Sequence, residues 1–147
     1  MNVQIRKAEM ADLPVIAGLA CRLWPDHTAE EMAGEMESLL SHPDAVLFLA
    51  CEGWDNLGFV QCQLRRDYVE GTETSPVGYL EGIYVEPSAR HRGIARQLLG
   101  TCERWAAHRG CREFASDCEL DNLQSQAFHA RVGFVEANRI ICFAKKL

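Results

Sequence analysis

Apolar and polar residues alternate from Val3 to Ala8, the period-two pattern of a strand that buries one face. The spacing then lengthens. Leu13, Ile16, Leu19, Ala20 and Leu23 recur on one helical face behind Asp12 as N-cap and a proline in the first turn, and Trp24-Pro25 ends the run. Thr28-Ala29-Glu30-Glu31 has capping-box spacing and predicts a second helix to about Ser41, with Met32, Met36, Leu39 and Leu40 turned inward. Two apolar, strand-like runs follow, Ala45 to Glu52 and Leu57 to Val69, joined by Gly-Trp-Asp-Asn, a hairpin turn by composition. After a polar loop with two acids, Glu70 to Gly78, Tyr79 to Val85 reads as a strand that Pro87 ends. Gly93 opens a helix to about Arg109 that buries Ala95, Leu98, Leu99, Cys102, Trp105 and Ala106, with Gly110 capping its end. Cys111 to Asp117 reads as a strand, Asn122 to Arg131 as a helix ended by Gly133, and Arg139 to Ala144 as a last strand. These elements predict an α/β fold with a mixed sheet, in which the connection through helix 93–109 requires parallel neighbours. At 147 residues, with no internal repeat or low-complexity linker, the chain is expected to form one domain over 1–147.

The candidate chemistry gathers between Tyr79 and Ala106. The loop Arg90-His91-Arg92-Gly93-Ile94-Ala95 stands at a helix N-terminus, where the first backbone N–H groups lack helical partners and the helix dipole adds positive character. Gly93 lets a phosphate approach the main chain without meeting a Cβ, and Ala95 keeps the next position small. A diphosphate fits such a place, as does a plain basic turn before a helix. Glu81-Gly82 sets a carboxylate and a glycine inside an apolar strand, where glycine often marks a bulge that re-aims nearby side chains.

Composition narrows the classes. Hydrophobic residues make up 48% and charged residues 24%, ordinary for a soluble globular protein, and no segment approaches the roughly 20 apolar residues of a membrane span. The N-terminus lacks the apolar core of a signal peptide, so a cytoplasmic location is expected. Seven cysteines, an odd number without a Cys-x-x-Cys pair, indicate neither a disulfide frame nor a zinc site and read mostly as small core residues. A formal charge of −6 without a basic stripe argues against nucleic acid and suits a cationic substrate.

Arg90-x-x-Gly93-x-Ala95 after such a strand resembles the acetyl-coenzyme A pyrophosphate loop of the GNAT family of N-acetyltransferases. Asp67-Tyr68-Val69, Thr74-Ser75-Pro76-Val77, Leu80-Glu81-Gly82-Ile83 and Ala115-Ser116-Asp117 extend the likeness, over nearly the whole chain, to the aminoglycoside 6'-N-acetyltransferases. The resemblance implies a GNAT fold whose splayed strands form the cleft for acetyl-CoA as co-substrate, with no metal. It implies that Ile83, Tyr84 and Val85 pair with the pantetheine arm as an added strand would, that Arg90, His91, Arg92, Gly93, Ile94 and Ala95 hold the diphosphate, and that Asn122 contacts the pantetheine. Read alone, Glu81 is an edge charge facing water and Asp117 a helix or turn cap. The family pattern makes them the acids that bind the acceptor amine and help it lose a proton. Trp24 and Tyr68 match aromatic acceptor positions, suited to the apolar face of an aminosugar.

Where many GNAT enzymes carry a tyrosine that protonates the departing thiolate, this chain has His129, a candidate acid or a half-exposed helix residue. Near the C-terminus Asn138 replaces a frequent family acid. A homodimer is expected from the resemblance alone. The expected activity is acetylation of the 6'-amino group of aminoglycoside antibiotics, inactivating them. The alternatives are an acetyltransferase for another amine, such as a polyamine or a protein N-terminus, and a non-catalytic acyl-CoA-binding module, against which two acids at the reacting end speak.

Overall fold

The computed structural model describes residues 2–147. Five strands form one sheet in chain order: β1 (Gln4–Lys7), β2 (Ala45–Glu52), β3 (Asp55–Arg65), β4 (Val77–Val85) and β5 (Phe114–Ser116). The first four are mutually antiparallel neighbours, and β5 runs parallel to β4. The helices are α1 (Leu13–Leu23), α2 (Ala29–Leu40), α3 (Ile94–His108) and α4 (Leu123–Arg131). As expected, α3 is the crossover that makes β4 and β5 parallel.

The sheet is buried on both faces, which explains the unbroken apolar run of β2. Val46, Phe48 and Ala50 join Val60, Cys62 and Leu80 under Leu98, Leu99 and Cys102 of α3. Leu47 and Leu49, on the opposite pleat, meet Phe59 under Ile16, Met32 and Met36 of α1 and α2. Cys62 and Cys102 are thus core residues, whereas Cys21, Cys51 and Cys111 are half-buried and Cys118 and Cys142 exposed.

Several boundaries differ from the periodicity. Asp12 precedes α1 but its side chain does not cap it. The carboxylate instead accepts one N–H from each terminal nitrogen of Arg6 at 2.7 Å and the Glu9 N–H at 2.8 Å, closing the short 3-10 turn Met10–Asp12. Thr28 does cap α2, accepting the Glu31 N–H at 3.1 Å. The strand expected over Leu57 to Val69 starts at Asp55 and stops at Arg65. There Arg66 turns aside to hold Asp44 at 3.1 and 3.2 Å, and its carbonyl, diverted from the ladder, accepts the Ser75 hydroxyl.

The strand expected over Cys111 to Asp117 shrinks to Phe114–Ser116: the Cys111 N–H still closes the end of α3 on Ala106, and β5 parts from β4 after the pair Leu80–Ser116. The expected strand Arg139 to Ala144 does not form, and residues 132–147 carry no helix or strand. A strand needs a neighbour for its ladder, and this segment finds none among the described residues. Ile140, Ile141 and Phe143 remain exposed along it.

Candidate active site

The ladder between β4 and β5 ends at Leu80 opposite Ser116. The next residues on the two strands are Glu81 and Asp117, so the two candidate acids stand at the point where the strands part. Beyond it, Gly82 to Val85 pair only with β3 on their other side, and the outward backbone groups of this stretch border the open fork. The Val85 carbonyl accepts Arg90 Nε at 2.9 Å, which leaves Ile83 and Tyr84 on the open stretch.

The expected bulge is present at Glu81. Gln61 faces Gly82 and Cys62 faces Leu80, so Glu81 is the residue without an opposite number. That extra residue re-aims its carboxylate toward the end of β3. Arg65 grips it with two charge-assisted bonds, Nε to Oε2 at 3.0 Å and a terminal nitrogen to Oε1 at 2.7 Å. The same guanidinium lies 3.4 Å from the centroid of the Tyr79 ring, and the Tyr79 hydroxyl donates to Asp117. Glu81, Arg65, Tyr79 and Asp117 therefore form one continuous chain of contacts. The bond to Glu81 raises the Arg65 pKa further above its already high value. Burial, followed by the bond to the Asp117 carboxylate, pushes the Tyr79 phenol well above the ordinary tyrosine value near 10, so it stays a donor at any working pH.

Trp24, at the C-terminal end of α1, forms one wall. Its ring meets Phe59 edge-on at 6.3 Å and lies over Gly82, where a Cβ would stand 2.6 Å from the indole. The backbone at Gly82 has no positive φ, so this glycine is required by space rather than by conformation. Tyr68 stands 76% exposed in the loop after β3, clear of that wall.

Two neighbours of the acids, Arg65 and Tyr79, were not singled out by sequence reasoning, nor was Gln61, the strand partner of Gly82. Gln61 is buried, its amide donating to Gln63 Oε1 at 3.1 Å, and its own oxygen is the one buried side-chain N or O without a partner among the described residues. The available signal was Gln61, Gln63 and Arg65 at alternate positions of an apolar strand, all on one face.

His129 is held at both ring nitrogens. Nδ1 lies 2.7 Å from the Ser125 carbonyl, which only accepts, so Nδ1 carries a proton. In the neutral ring Nε2 is then an acceptor, and Ser116 Oγ donates to it at 2.7 Å. The Ser116 hydroxyl also lies 3.4 Å from the Leu80 carbonyl at the fork, so it stands between the imidazole and the parting strands. Asn122 caps α4, its Oδ1 accepting the Ser125 N–H at 3.0 Å.

On the other flank, Gly93 is the N-cap of α3 with φ 76°, a left-handed conformation that favours glycine. It brings no side-chain cap, so the first N–H groups of a helix of 15 residues lack a side-chain partner, and a Cβ placed at Gly93 would meet nothing within 4 Å. This is an open anion cradle. Of the basic residues beside it, Arg90 is tied to Val85 and Arg92 to Glu52 at 2.6 and 3.3 Å, while His91 is exposed with φ 63°. Ile94 is buried under the loop and Ala95 half-buried. No group of three or more His, Cys, Asp or Glu among the described residues is placed to hold a metal ion.

A mixed sheet forked beyond a bulged strand, with an uncapped helix N-terminus following that strand, defines an N-acetyltransferase of the GNAT type. The sequence model of the Acetyltransferase (GNAT) family matches residues 6–134, and the chain belongs to that family. It is 41% identical over 144 residues to an aminoglycoside N(6')-acetyltransferase type 1 of Stenotrophomonas maltophilia, covering 97% of this chain and 93% of that one. The solved structure of AAC(6')-Iy with the bisubstrate analogue CoA-S-monomethyl-acetylneamine matches it with a TM-score of 0.96 at 37% identity over 100% of both chains. Apo AAC(6')-IG from Acinetobacter haemolyticus, an aminoglycoside antibiotic 6'-N-acetyltransferase, matches with a TM-score of 0.94 at 40% identity, covering 100% of this chain and 99% of that one.

Proposed function

We propose that this protein transfers the acetyl group of acetyl-CoA to the 6'-amino group of aminoglycoside antibiotics, by direct attack in a ternary complex, and thereby inactivates them. Full-length similarity to enzymes of that name supports the reading. The observation that carries it is the pair of acids, Glu81 and Asp117, one residue beyond the last β4–β5 ladder pair.

An aminosugar amine is mostly ammonium at neutral pH, so it must be bound as a cation and then lose a proton before attack. In this reading Glu81 and Asp117 bind the ammonium and take up its proton, while Trp24 and Tyr68 border the sugar. The amine nitrogen forms a bond to the acetyl carbon, the carbon–sulfur bond breaks with coenzyme A leaving as thiolate, and the acylated nitrogen, again cationic, loses its second proton to water to give the neutral amide. A thiol pKa near 8.5 makes that departure tolerable unaided. His129 assists through Ser116: an imidazolium at Nε2 would give its proton to the Ser116 oxygen as the Ser116 hydroxyl proton moves to the thiolate. Ile83, Tyr84 and Val85 serve the pantetheine from the open edge of β4, with Asn122 across the fork. Arg90, His91, Arg92, Gly93, Ile94 and Ala95 hold the diphosphate, the main chain and His91 contributing directly while Arg90 and Arg92 brace the loop.

The proposal extends to a single domain over 1–147 that works in the cytoplasm as a homodimer. Exposure of Ile140, Ile141 and Phe143 at 67%, 80% and 90% supports the dimer, since an apolar segment without a sheet partner favours burial against a second copy. No helix among the described residues is long and apolar enough to cross a membrane.

The test is thiol release from acetyl-CoA with kanamycin or tobramycin, followed by mapping of the acetyl group on the product. Acetylation at the 6'-nitrogen, with no N-acetylation there when the 6'-amine is absent, is expected. Release of thiol only with a polyamine or peptide would overturn the proposal.

A further inference from the structure

The acceptor acid Glu81 already holds a cation. Arg65 spends two N–H groups on both of its oxygens, at 3.0 and 2.7 Å, and covers the Tyr79 ring at 3.4 Å. An arriving ammonium would therefore find the carboxylate and the aromatic face occupied by a group of its own charge. Only one member of the pair is placed to move. The Glu81 side chain is 17% exposed and rooted in the bulge, whereas Arg65 is 43% exposed at the last residue of β3, beyond which the chain leaves the sheet. Swinging outward takes the guanidinium into water and leaves the carboxylate and the ring facing the acceptor. Asp117 keeps its own hydrogen-bond partner, the neutral Tyr79 hydroxyl.

We propose that Arg65 is a specificity-determining latch: it occupies the ammonium subsite of Glu81 in the resting enzyme and yields to the acceptor's own cation. The inference rests on the acceptor role of Glu81 given above. It explains how a partly buried carboxylate can wait for a cationic substrate without standing unpaired. It also sets a threshold, because an amine must replace two charge-assisted bonds and a cation–π contact before it is held.

Two substitutions test this: Arg65→Met, which keeps the aliphatic stem, and Arg65→Lys, which keeps the charge but loses the two-pronged grip. Tobramycin binding to the protein saturated with coenzyme A is measured by calorimetry, alongside kcat and KM. Losing one partly exposed ion pair and one cation–π contact corresponds to affinity tightened about 3- to 10-fold in Arg65→Met. Arg65→Lys should fall between Arg65→Met and the parent. In a Glu81→Gln background the latch has lost its anchor, so adding Arg65→Met should change tobramycin affinity by less than about 2-fold, a coupling that a merely structural role would not produce. Unchanged or weakened tobramycin binding in Arg65→Met, or the same gain with and without Glu81, would overturn the latch while leaving the acceptor reading intact. Absence of tobramycin binding and turnover in the parent would instead overturn the acceptor reading, and the latch with it.

Discussion

Gly82→Ala adds one methyl group at the place where strand β4 and Trp24 touch. The new Cβ would lie 2.6 Å from two indole carbons and 3.1 Å from Leu23 Cδ2. Carbon atoms rest at about 3.5 to 4.0 Å, so the indole must retreat by about 1 Å. Trp24 is not free to do so without loss, because it also packs edge-on against the fully buried Phe59. Overpacking of this kind costs about 1–3 kcal/mol, which for a chain of this length lowers Tm by about 3 °C for each kcal/mol. The displaced indole is also the wall beside the bulged Glu81, so efficiency toward tobramycin should fall about 10-fold through misplacement of the acceptor. Thermal unfolding by circular dichroism and steady-state kinetics measure the two effects, and calorimetry should find coenzyme A affinity near that of the parent. In a Trp24→Leu background the indole clash is gone and only the milder approach to Leu23 at 3.1 Å remains, so adding Gly82→Ala should cost clearly less stability than it does in the parent. A Gly82→Ala protein with parental Tm and acceptor KM would refute the claim that Gly82 exists to seat Trp24.

Gly93→Asp places a side chain at φ 76° and a carboxylate against the open N-terminus of α3; acetyl-CoA affinity should fall while the fold persists, and unchanged affinity by calorimetry would remove the phosphate role of the loop. His129→Ala and Ser116→Ala should each lower kcat by less than about 100-fold, because a thiolate leaves with little help, and the double variant should be no worse than either single one if the two act as one relay. Asp12 lies below the ordinary carboxylate range, chiefly through its bond to Arg6, so the folded state binds its proton less readily than the unfolded chain. Its contribution is therefore present above about pH 4 and lost as pH falls through the lower folded value, and Asp12→Asn should flatten the acid limb of Tm against pH.

Periodicity located nearly every element because both faces of the sheet are buried and three helices carry a clear apolar stripe. What it misplaced were ends decided by long-range partners: Arg66 leaving the ladder for Asp44, β5 parting from β4 after three ladder pairs, and Arg139 to Ala144 lacking a strand neighbour among the described residues. The turn at Gly93 was legible because its left-handed backbone is a local requirement, whereas the bulge at Glu81 was signalled by Gly82, whose lack of a side chain makes room for the distant Trp24. Arg65 was not, since a lone arginine at a strand end reads as a solvent-facing charge. Its meaning depends on the bulge that turns Glu81 toward it from 16 residues away. Tyr79 likewise reads as a strand aromatic until Asp117 is brought to its hydroxyl by the parallel pairing of β4 with β5.

The central claim is that the two acids at the fork bind the acceptor's ammonium groups, and kcat/KM of Glu81→Gln and Asp117→Asn with kanamycin tests it most directly. A charge-assisted contact is worth about 1.5 to 3 kcal/mol, so each substitution should lower efficiency by about 10- to 100-fold. Acetyl-CoA affinity should stay near that of the parent, and added salt should weaken acceptor binding in the parent more than in either variant. Parental efficiency in both variants, or a loss explained entirely by weaker acetyl-CoA binding, would contradict the account.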